Sequence, residues 1–514
     1  MRQVTIEGLP SGLGAAANQY LDAFPAGEVI GFPIHGIDRV GVPVWVVALF
    51  PKTPELAGIM PYGVGYGTTD EAAILGALGE IAEMVWPTLT LSARTKTHGS
   101  YTELAGRLGA RAIADPLTLC LPAGSPVGRD TPLDWVEARR WADGSTVLVP
   151  IDLAAYSAKE LSPGYTPFTT IISNGMGAGP DLDWAIGHGL CEILQRDGNG
   201  LLFRALDEGV TLGLPTPLPG EADALLARFA AAGIHAIPKF ATDEFGIANV
   251  YCVGVDEDAD PAVPVMATAC GEAAHPDAGQ ALVKALAEYA ASRARKGFAH
   301  GPMALAKRIA PEGYIPRFME QAGVTPQSNT LRGPQAGSAA KSSDSRAFTE
   351  MQRWTRTDAA TLRAWLADTM LAERTTRDFT TLPRADVPDG RARGALARAA
   401  VEAAGFDILY VDMSPADGAL AVVKVIVPGM EVETMSYYRI GERNARKLLD
   451  RDSPLIGFEP GPTRLPVRLT AEAVERLGGQ PYFDTAAADA VVGPLYPLYR
   501  EPEAHHVAWK EAHP

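Results

Sequence analysis

Hydrophobic positions recur at three- and four-residue spacing through three Ala-rich segments, and each segment carries glutamate inside its apolar pattern. In the first, Glu80 and Glu83 lie among Leu78, Ile81 and Met84. Residues three apart share one face of a helix, so both carboxylates project in the same direction. A carboxylate on an apolar face is costly unless a cation meets it, and Mg²⁺ is a suitable small cation.

The other two segments repeat this arrangement. Glu192, Gln195 and Arg196 fall at i, i+3 and i+4 in the second segment. The third carries Glu288 and Arg293, which are about 140° apart around a helix and need not touch each other. Taken singly, each glutamate could be a solvated surface residue. Three such helices, each behind a glycine-rich or cap-like turn, favour one site at which carboxylates bind Mg²⁺ and phosphate oxygens complete its coordination.

Short apolar segments alternate with these helices and predict strands. The predicted strands are 44–50, 146–151, 247–255, 263–269, 407–413 and 420–427. Strands that alternate with amphipathic helices indicate an α/β fold, or an α+β fold in layers.

Capping residues place the starts of the three helices. Thr68 and Glu71 fit a capping box before the first helix. Asp181 or Asp183 can cap the second, and the third follows 275–277.

Two glycine-rich segments, PYGVGYG at 61–67 and NGMGAG at 174–179, are expected to be loops that bring backbone N–H groups to phosphates. Neither fits a Walker A or a Rossmann motif, which disfavours the common nucleotide-binding folds.

Composition and charge narrow the class of protein. The chain has 514 residues, 47% hydrophobic and 21% charged, which is typical of a globular protein with a large core. Its net charge of −16 argues against nucleic-acid binding, which needs a basic surface. The four cysteines form no CxxC, and neither a signal peptide nor a membrane-length apolar segment is evident. A cytoplasmic protein without a membrane segment is therefore predicted.

Other chemistry finds little support in the sequence. His35, His188 and His275 are isolated histidines, and each is better explained as a cap or a structural hydrogen-bond partner than as a catalyst. There is no His/Cys cluster for a transition metal and no Gly-x-Ser-x-Gly motif for a hydrolase. No catalytic acid, base or nucleophile can be assigned.

Several short motifs, taken in chain order, resemble those of the YcaO family. The motifs are GIDRVGVPVW (36–45), ALGEIAE (77–83), SNGMGAG (173–179), GLCEILQRD (189–197), GEAAHPD (271–277), ALAEYAASR (285–293), DILYVDMS (407–414) and VPGMEVE…RIGERNARKLL (427–449). The resemblance implies a YcaO-type fold of mixed β-sheets flanked by helices, with ATP and Mg²⁺ as cofactors. It also implies phosphorylation of the oxygen of a peptide backbone amide to which a nucleophile has added, giving an azoline, a thioamide or an amidine during modification of a ribosomal peptide or protein.

Residue by residue, the resemblance assigns a nucleotide site. The expected Mg²⁺ ligands are Glu80, Glu83, Glu192 and Glu288. The expected ATP-binding residues are these four with Asn174, Gln195, Arg196 and Arg293. His275 matches a position typical of the family. Residues 1–310 are expected to carry the site, 311–350 a flexible insertion, and 351–514 the C-terminal part with an extended tail.

Departures from the family pattern leave a second hypothesis open. They are Gly65-Tyr66-Gly67 in place of Gly-Lys-Gly, Gly76, Met84, Pro180, Trp184, Gln195 and Ala291. A catalytically degenerate protein, acting as scaffold or peptide-binding subunit, is therefore the alternative to an enzyme. The ending HHVAWKEAHP also lacks the Pro-x-Pro-x-Pro tail common in cyclodehydratases, and no CxxC-bearing leader-binding domain is fused. The resemblance then implies a homodimer that needs a separate partner, either TfuA-like or leader-binding.

Overall fold

Four β-sheets flanked by helices form the fold in a computed structural model of the chain, which describes residues 2–200, 206–218, 220–258, 261–324, 338–431 and 438–513. The strands are β1 Val4–Glu7, β2 Gly27–Pro33, β3 Val44–Pro51, β4 Tyr62–Tyr66, β5 Thr97–Gly99, β6 Leu133–Arg140, β7 Thr146–Pro150, β8 Met176–Gly179, β9 Val210–Gly213, β10 Ile234–Thr242, β11 Ala248–Asp256, β12 Gly271–His275, β13 Thr375–Asp378, β14 Leu409–Asp412, β15 Ala421–Ile426, β16 Ile456–Gly457, β17 Arg464–Pro466 and β18 Tyr482–Asp484.

The helices between and after these strands cover the sheets. They are α1 Ala15–Ala23, α2 Asp70–Leu91, α3 Tyr101–Leu108, α4 Ile151–Ala154, α5 Leu182–Asn199, α6 Glu221–Ala231, α7 Ala278–His300, α8 Met303–Ile309, α9 Tyr314–Gln321, α10 Ser338–Thr355, α11 Ala359–Leu366, α12 Gly390–Ala403, α13 Glu442–Asp450, α14 Ala471–Arg476, α15 Thr485–Val492 and α16 His506–Ala512.

The sheet orders show that distant parts of the chain form common layers. One sheet has the order β1-β2-β3-β4, and a second has the order β12-β11-β10-β9-β13. The third has the order β5-β6-β14-β15-β8, with β7 also paired to β6. A small sheet of β16-β18-β17 follows. The strands predicted at 407–413 and 420–427 are confirmed as β14 and β15, which lie between β6 and β8 and so complete a sheet begun by the N-terminal half.

The three glutamate helices all follow a short glycine-bearing strand. α2 follows β4, α5 follows β8 and α7 follows β12. Glycine in these strands lets the helix backbone approach closely: a Cβ on Gly177 would lie 2.1 Å from the carbonyl oxygen of Ala185, and one on Gly271 would lie 2.2 Å from that of Ala285. The glycine-rich segments are therefore packing surfaces, and this close approach fixes the height of each helix above its strand.

Replacing Gly65 by alanine tests this packing. Its Cβ would lie 1.8 Å from the carbonyl oxygen of Ala73 and 2.4 Å from the amide nitrogen of Ala77, so α2 must move away from β4. We expect Gly65→Ala to lower the free energy of unfolding by about 1–3 kcal/mol, measured by chemical denaturation. The control is Gly106→Ala on α3, where no atom lies within 4 Å and alanine should be neutral or stabilising. Equal stability of the two variants would contradict the packing argument.

The first glutamate helix is a core helix. By length and composition α2 could cross a membrane, and it is the one helix of the described residues that passes this test. Half of its most apolar window is nevertheless buried inside the protein, where residues such as Ile74, Leu78 and Ile81 join the core shared with β3 and β8.

Several local predictions are corrected by the structure. Residues 264–268 form a 3₁₀ helix rather than a strand, because Pro264 lies in its first turn, and the strand begins only at Gly271. The cap of α2 is Thr69, which accepts from Ala72, and not Thr68. Asp181 caps α5, as predicted, and Asp277 caps α7.

The two predicted glycine loops are largely strands, namely β4 and β8. The centre of the predicted flexible insertion, 325–337, lies outside the described residues. Within the predicted bounds of 311–350, α9 and the first part of α10 are helical.

Candidate functional site

Each glutamate helix forms a strand–helix unit with the short strand before it, and the same kind of hydrogen bond joins the two elements of each unit. A backbone N–H at or just before the strand donates to the helix carboxylate about sixteen residues later in the chain. The three bonds are Val64 to Glu80 (2.9 Å), Gly175 to Glu192 (2.9 Å) and Glu272 to Glu288 (3.2 Å). Two of these amides belong to the segments predicted to bind phosphate, so these N–H groups are already used by the protein's own carboxylates.

A second set of bonds joins each helix to the strand of another unit. Glu83 on α2 accepts from the backbone N–H of Ala178 on β8. Arg196 on α5 donates to Glu272 on β12 at 3.2 Å. The ring closes where the Tyr66 hydroxyl on β4 donates to Glu288 on α7 at 2.9 Å. The three units therefore surround one space, with carboxylates from all three helices turned toward it.

The carboxylates in this space repel one another and are held among protein atoms. Burial raises the pKa of Glu80 to about 7, with smaller contributions from Glu288 and Glu192. Burial, then the charges of Glu192 and Glu80, raises the pKa of Glu83 well above its usual range. Burial and the charge of Glu272 raise the pKa of Glu288. Glu80 is nonetheless exposed and the others are only partly buried, so the group lines a recess that water can enter.

Arg196 is the cation at the centre of this group. Its guanidinium lies 3.5 Å from Glu192 and 3.2 Å from Glu272, and its Nε is buried without a hydrogen-bond partner within the described part of the chain. Gln195 and Asn199, at 3.5 Å and 2.8 Å, also donate to Glu272. The structure thus brings together Glu80, Glu83, Glu192, Gln195, Arg196 and Glu288 from the predicted set.

Glu272 is a site residue that the sequence reasoning missed. It is buried on β12, and three donors from α5 converge on it. β12 is the strand of the third unit, and Glu272 lies on it close to Gln195, which replaces a family glutamate. In the sequence, Glu272 was marked only by its position two residues after Cys270.

The remaining predicted residues lie at the margins of this group. Asn174 is buried directly before Gly175 and lines an enclosed cavity together with Lys424. Burial lowers the pKa of Lys424 to about 8, while Glu192 and Glu83 oppose that shift. Arg293 lies further along α7, where its guanidinium binds Asp38 at 2.8 Å and Asp256 at 2.8 Å.

Trp184, one of the departures from the family pattern, packs away from the carboxylates. Its ring lies against Gly179 and Gly390, and it stacks on the His188 ring with centroids 5.3 Å apart. Trp184 therefore fills the space between α5, β8 and α12.

Comparison with known proteins identifies the family of the chain that forms this ring of three units. A model of the YcaO family, described as a cyclodehydratase that binds ATP and Mg²⁺, matches residues 64–431, which include all three units. The chain belongs to the YcaO family. The resemblance predicted from the motifs is confirmed, and so are ATP and Mg²⁺ as the cofactors.

The relatives and a solved structure agree with this assignment. An uncharacterized protein of Methanothermobacter thermautotrophicus is 27% identical over 411 residues, covering 80% of this chain and 91% of that protein. An uncharacterized protein in the tfuA 3′ region of Rhizobium leguminosarum bv. trifolii is 26% identical over 268 residues, 51% of this chain and 60% of the relative. YcaO from Methanopyrus kandleri, solved with AMPPCP and Mg²⁺, is similar with a TM-score of 0.50 and 18% identity, over 80% of this chain and 88% of that one. The predicted YcaO-type fold is confirmed.

The donor set of the YcaO recess suits Mg²⁺. Carboxylates that repel one another, some with raised pKa values, are stabilised in their charged form by a divalent cation. Among the residues that the structure describes, no three His, Cys, Asp or Glu side chains are close enough to hold one ion alone. In proteins Mg²⁺ is commonly bound by one or two carboxylates, with water and phosphate oxygens as its other ligands.

Glu80 should contribute less to the stability of the metal-free protein as pH rises from about 4.5 to 7. In the unfolded chain Glu80 loses its proton near pH 4.5, whereas in the fold it keeps that proton to about pH 7, so the folded state binds more protons in this window. Because Glu80 is exposed, solvent screening should limit its contribution to about 1 kcal/mol. Thermal unfolding at about pH 5 and pH 7.5, with and without Mg²⁺, checks this.

Mg²⁺ should raise the melting temperature more at the higher pH, where the carboxylates are ionised. Glu80→Gln should gain stability relative to the wild-type metal-free protein as pH rises from about 5 to 7.5, because it lacks this titrating group. An equal Mg²⁺ effect at both pH values would count against carboxylate ligation in the recess.

Proposed function

We propose that this YcaO protein uses ATP and Mg²⁺ to activate a backbone amide of a peptide or protein by phosphorylating the amide oxygen. The observation that supports this most directly is the ring of three strand–helix units, with Glu80, Glu83, Glu192 and Glu288 around one water-accessible recess. Such an arrangement suits Mg²⁺, and the bound cation would supply the charge neutralisation on which phosphoryl transfer depends.

Different residues of the chain would bind the metal, contact the phosphates and position the side chain that contacts them. Glu80, Glu83, Glu192 and Glu288 would share the binding of Mg²⁺, with one or two carboxylates to each ion, and bound Mg²⁺ would neutralise the charge of the phosphates. Arg196 would offer the buried Nε that has no partner in the described structure to a phosphate oxygen. Gln195 and Glu272 would keep the guanidinium in place, since both lie in its hydrogen-bond network.

The chemistry of the proposed reaction balances without another oxidant or reductant. A nucleophile adds to the amide carbon, and the former carbonyl oxygen takes the terminal phosphoryl group of ATP while the bond to ADP breaks. The C–O bond then breaks, and the oxygen leaves with inorganic phosphate. A Cys, Ser or Thr side chain as nucleophile gives an azoline, and external sulfide gives a thioamide.

Delivery of the substrate by a second protein is part of the proposal. The Rhizobium relative is named for its place in the tfuA 3′ region, which supports a TfuA-like partner and thioamide formation. The family description as cyclodehydratases supports the azoline product and a leader-binding partner instead. We propose a homodimer that works with one of these partners on a peptide or protein substrate.

Calorimetric titration with a non-hydrolysable ATP analogue tests the first part of this proposal. We expect binding to the wild-type protein that requires Mg²⁺. Mass spectrometry of a peptide supplied with a partner protein, ATP and, in one arm, sulfide then distinguishes the products. An azoline lowers the peptide mass by one water, and a thioamide exchanges one oxygen for sulfur.

A degenerate scaffold is the second candidate, and Gln195 in place of a family glutamate is the observation in its favour. Glutamine can bind a metal only through its neutral carbonyl oxygen. The scaffold hypothesis expects no nucleotide binding, with or without Mg²⁺, although the partner and the peptide still bind. Mg²⁺-dependent nucleotide binding would exclude it.

A further inference from the structure

A small cavity lies beside the carboxylate ring, between β15 and the segment that leads into β8. Its polar lining residues are Asp152, Thr170, Asn174, Lys424 and Arg439, and its other lining residues are apolar. The cavity has a volume of about 20 Å³, which is room for about one particle of the size of a water molecule. A nucleotide is far larger than this space, so any ligand of the cavity differs from the one proposed for the ring.

Two buried cations line this cavity. Lys424 and Arg439 are each 3% exposed, and neither forms an ion pair with an acidic side chain in the part of the chain that the structure describes. The Lys424 ammonium donates to the carbonyl oxygen of Ile172 at 2.6 Å. Arg439 donates from Nε to the carbonyl oxygen of Cys120 at 2.8 Å and from Nη2 to that of Leu119 at 3.0 Å. Both charges are therefore met by neutral carbonyl groups.

Hydrogen-bond donors of both cations are left over. Nη1 of Arg439 is buried and has no partner among the described residues. An ammonium group has three N–H donors, and the bond to Ile172 uses one of those of Lys424. A buried charge is unfavourable unless an opposite charge or a full set of hydrogen bonds meets it. One anion between Lys424 and Arg439 would meet both charges.

Asp152 does not supply this anion, although it lines the same cavity. Its carboxylate accepts from the Tyr165 hydroxyl at 2.6 Å and from the backbone N–H of Phe168 at 2.7 Å, and it forms no ion pair with the two cations within the described ranges. The volume then decides which free anion fits. A monovalent anion with one heavy atom matches the space, whereas inorganic phosphate, with its central atom and four oxygens, is too large.

The cavity adjoins the site proposed for amide activation. Asn174 lines the cavity and directly precedes Gly175, whose N–H donates to Glu192 of the ring. Lys424 is paired with Met176 at the start of β8, the strand of the second unit. An anion held by Lys424 therefore lies next to the carboxylates that would bind Mg²⁺. Among the nucleophiles of the proposed reaction, hydrosulfide is the anion with one heavy atom.

We propose that Lys424 and Arg439 bind hydrosulfide and hold it for attack on the amide carbon. The inference rests on the proposed function and selects the thioamide among its products. HS⁻ forms a C–S bond to the amide carbon, and the carbonyl π electrons pass to the oxygen. That oxygen takes the terminal phosphoryl group as ADP leaves. The C–O bond then breaks, the oxygen and the S–H proton leave with inorganic phosphate, and the C=S bond remains.

Bromide tests the anion site directly, because it is a monovalent anion with one heavy atom that anomalous diffraction locates. We expect an anomalous peak between Lys424 and Arg439 in wild-type crystals soaked in sodium bromide. Lys424→Met and, separately, Arg439→Gln should each lose the peak, and sodium hydrosulfide added to the soak should displace it from the wild type. A wild-type cavity without bromide would refute the site. Bromide that hydrosulfide does not displace would identify a halide site and refute the assignment to hydrosulfide.

Thioamide formation with a partner protein, ATP and sulfide measures the role of the site in the reaction. We expect Lys424→Met to raise the KM for sulfide by about ten-fold or more, because a charge-assisted hydrogen bond to the anion is lost. Arg140→Met removes another buried cation of the same sheet, one that pairs with Asp407, and as the matched control it should keep the wild-type KM. A Lys424→Met protein with a lower kcat but an unchanged KM for sulfide would indicate a purely structural role and contradict the proposal.

Mg²⁺-dependent binding of the ATP analogue to the wild type distinguishes failure of this inference from failure of the proposed function. If the analogue binds but bromide does not, the anion site is wrong and the proposed function stands. If bromide binds but the analogue does not, the proposed function fails. Lys424→Met should remain folded, since an apolar side chain of similar length replaces a buried charge, and circular dichroism checks this.

Discussion

Glu192→Ala, and separately Glu80→Ala, should abolish nucleotide turnover while the protein remains folded. Both carboxylates face the recess, and their loss removes charge that would hold Mg²⁺ and phosphates in the transition state. We expect ATP turnover to fall by about 10²–10³-fold or more, measured as phosphate release in the presence of Mg²⁺.

The fold should tolerate these substitutions because the carboxylates repel one another in the metal-free protein. The raised pKa of Glu80 shows that the fold disfavours its charge, so its removal should leave stability unchanged or slightly higher. Glu402→Ala on α12, which removes a partly exposed carboxylate paired with Arg398, is the matched control and should keep full turnover. Full activity of both Glu80→Ala and Glu192→Ala would refute the site assignment.

The sequence predicted the helices and their acidic residues because both depend on local pattern. Apolar residues at helical spacing, with Glu80, Glu83, Glu192 or Glu288 among them, predict a buried helix face that carries a functional carboxylate. The caps Asp181 and Asp277 were also readable, since each is an aspartate directly before an apolar segment.

The sequence could not supply the contacts that close the ring. Glu272 lies on a strand, and its donors come from a helix more than seventy residues earlier. His188 and Arg393 are more than two hundred positions apart in the chain, and only the packing of α12 against α5 brings the guanidinium within 3.4 Å of the imidazole Nδ1. Such pairings depend on the packing of distant elements and leave no trace in local spacing.

The glycine segments show how one pattern can have two physical causes. Gly-rich sequence before a helix is typical of a phosphate loop, and it is equally typical of a strand on which a helix packs closely. In β4 and β8 the second cause applies, since added methyl groups would overlap the helix backbone. The backbone N–H groups of Val64 and Gly175 donate to Glu80 and Glu192 on the helices that follow.

Arg293→Met should destabilise the protein by about 3–5 kcal/mol, because it leaves the buried carboxylate of Asp38 without its arginine and leaves Asp256 paired with Arg39 alone. The resemblance to the family instead assigns Arg293 to ATP, and that assignment remains a prediction. The two roles differ in their consequences. Chemical denaturation of Arg293→Met, with Arg391→Met as the exposed ion-pair control, measures the structural role.

Nucleotide affinity of the same variant, measured at a temperature where it is folded, separates the two roles. If Arg293 only anchors Asp38 and Asp256, affinity for the ATP analogue should match that of wild type while the unfolding free energy falls. If Arg293 binds phosphate, affinity should fall by about ten-fold with little loss of stability. Because the guanidinium Nε and Nη2 already donate to the carboxylates of Asp38 and Asp256, we expect the first result.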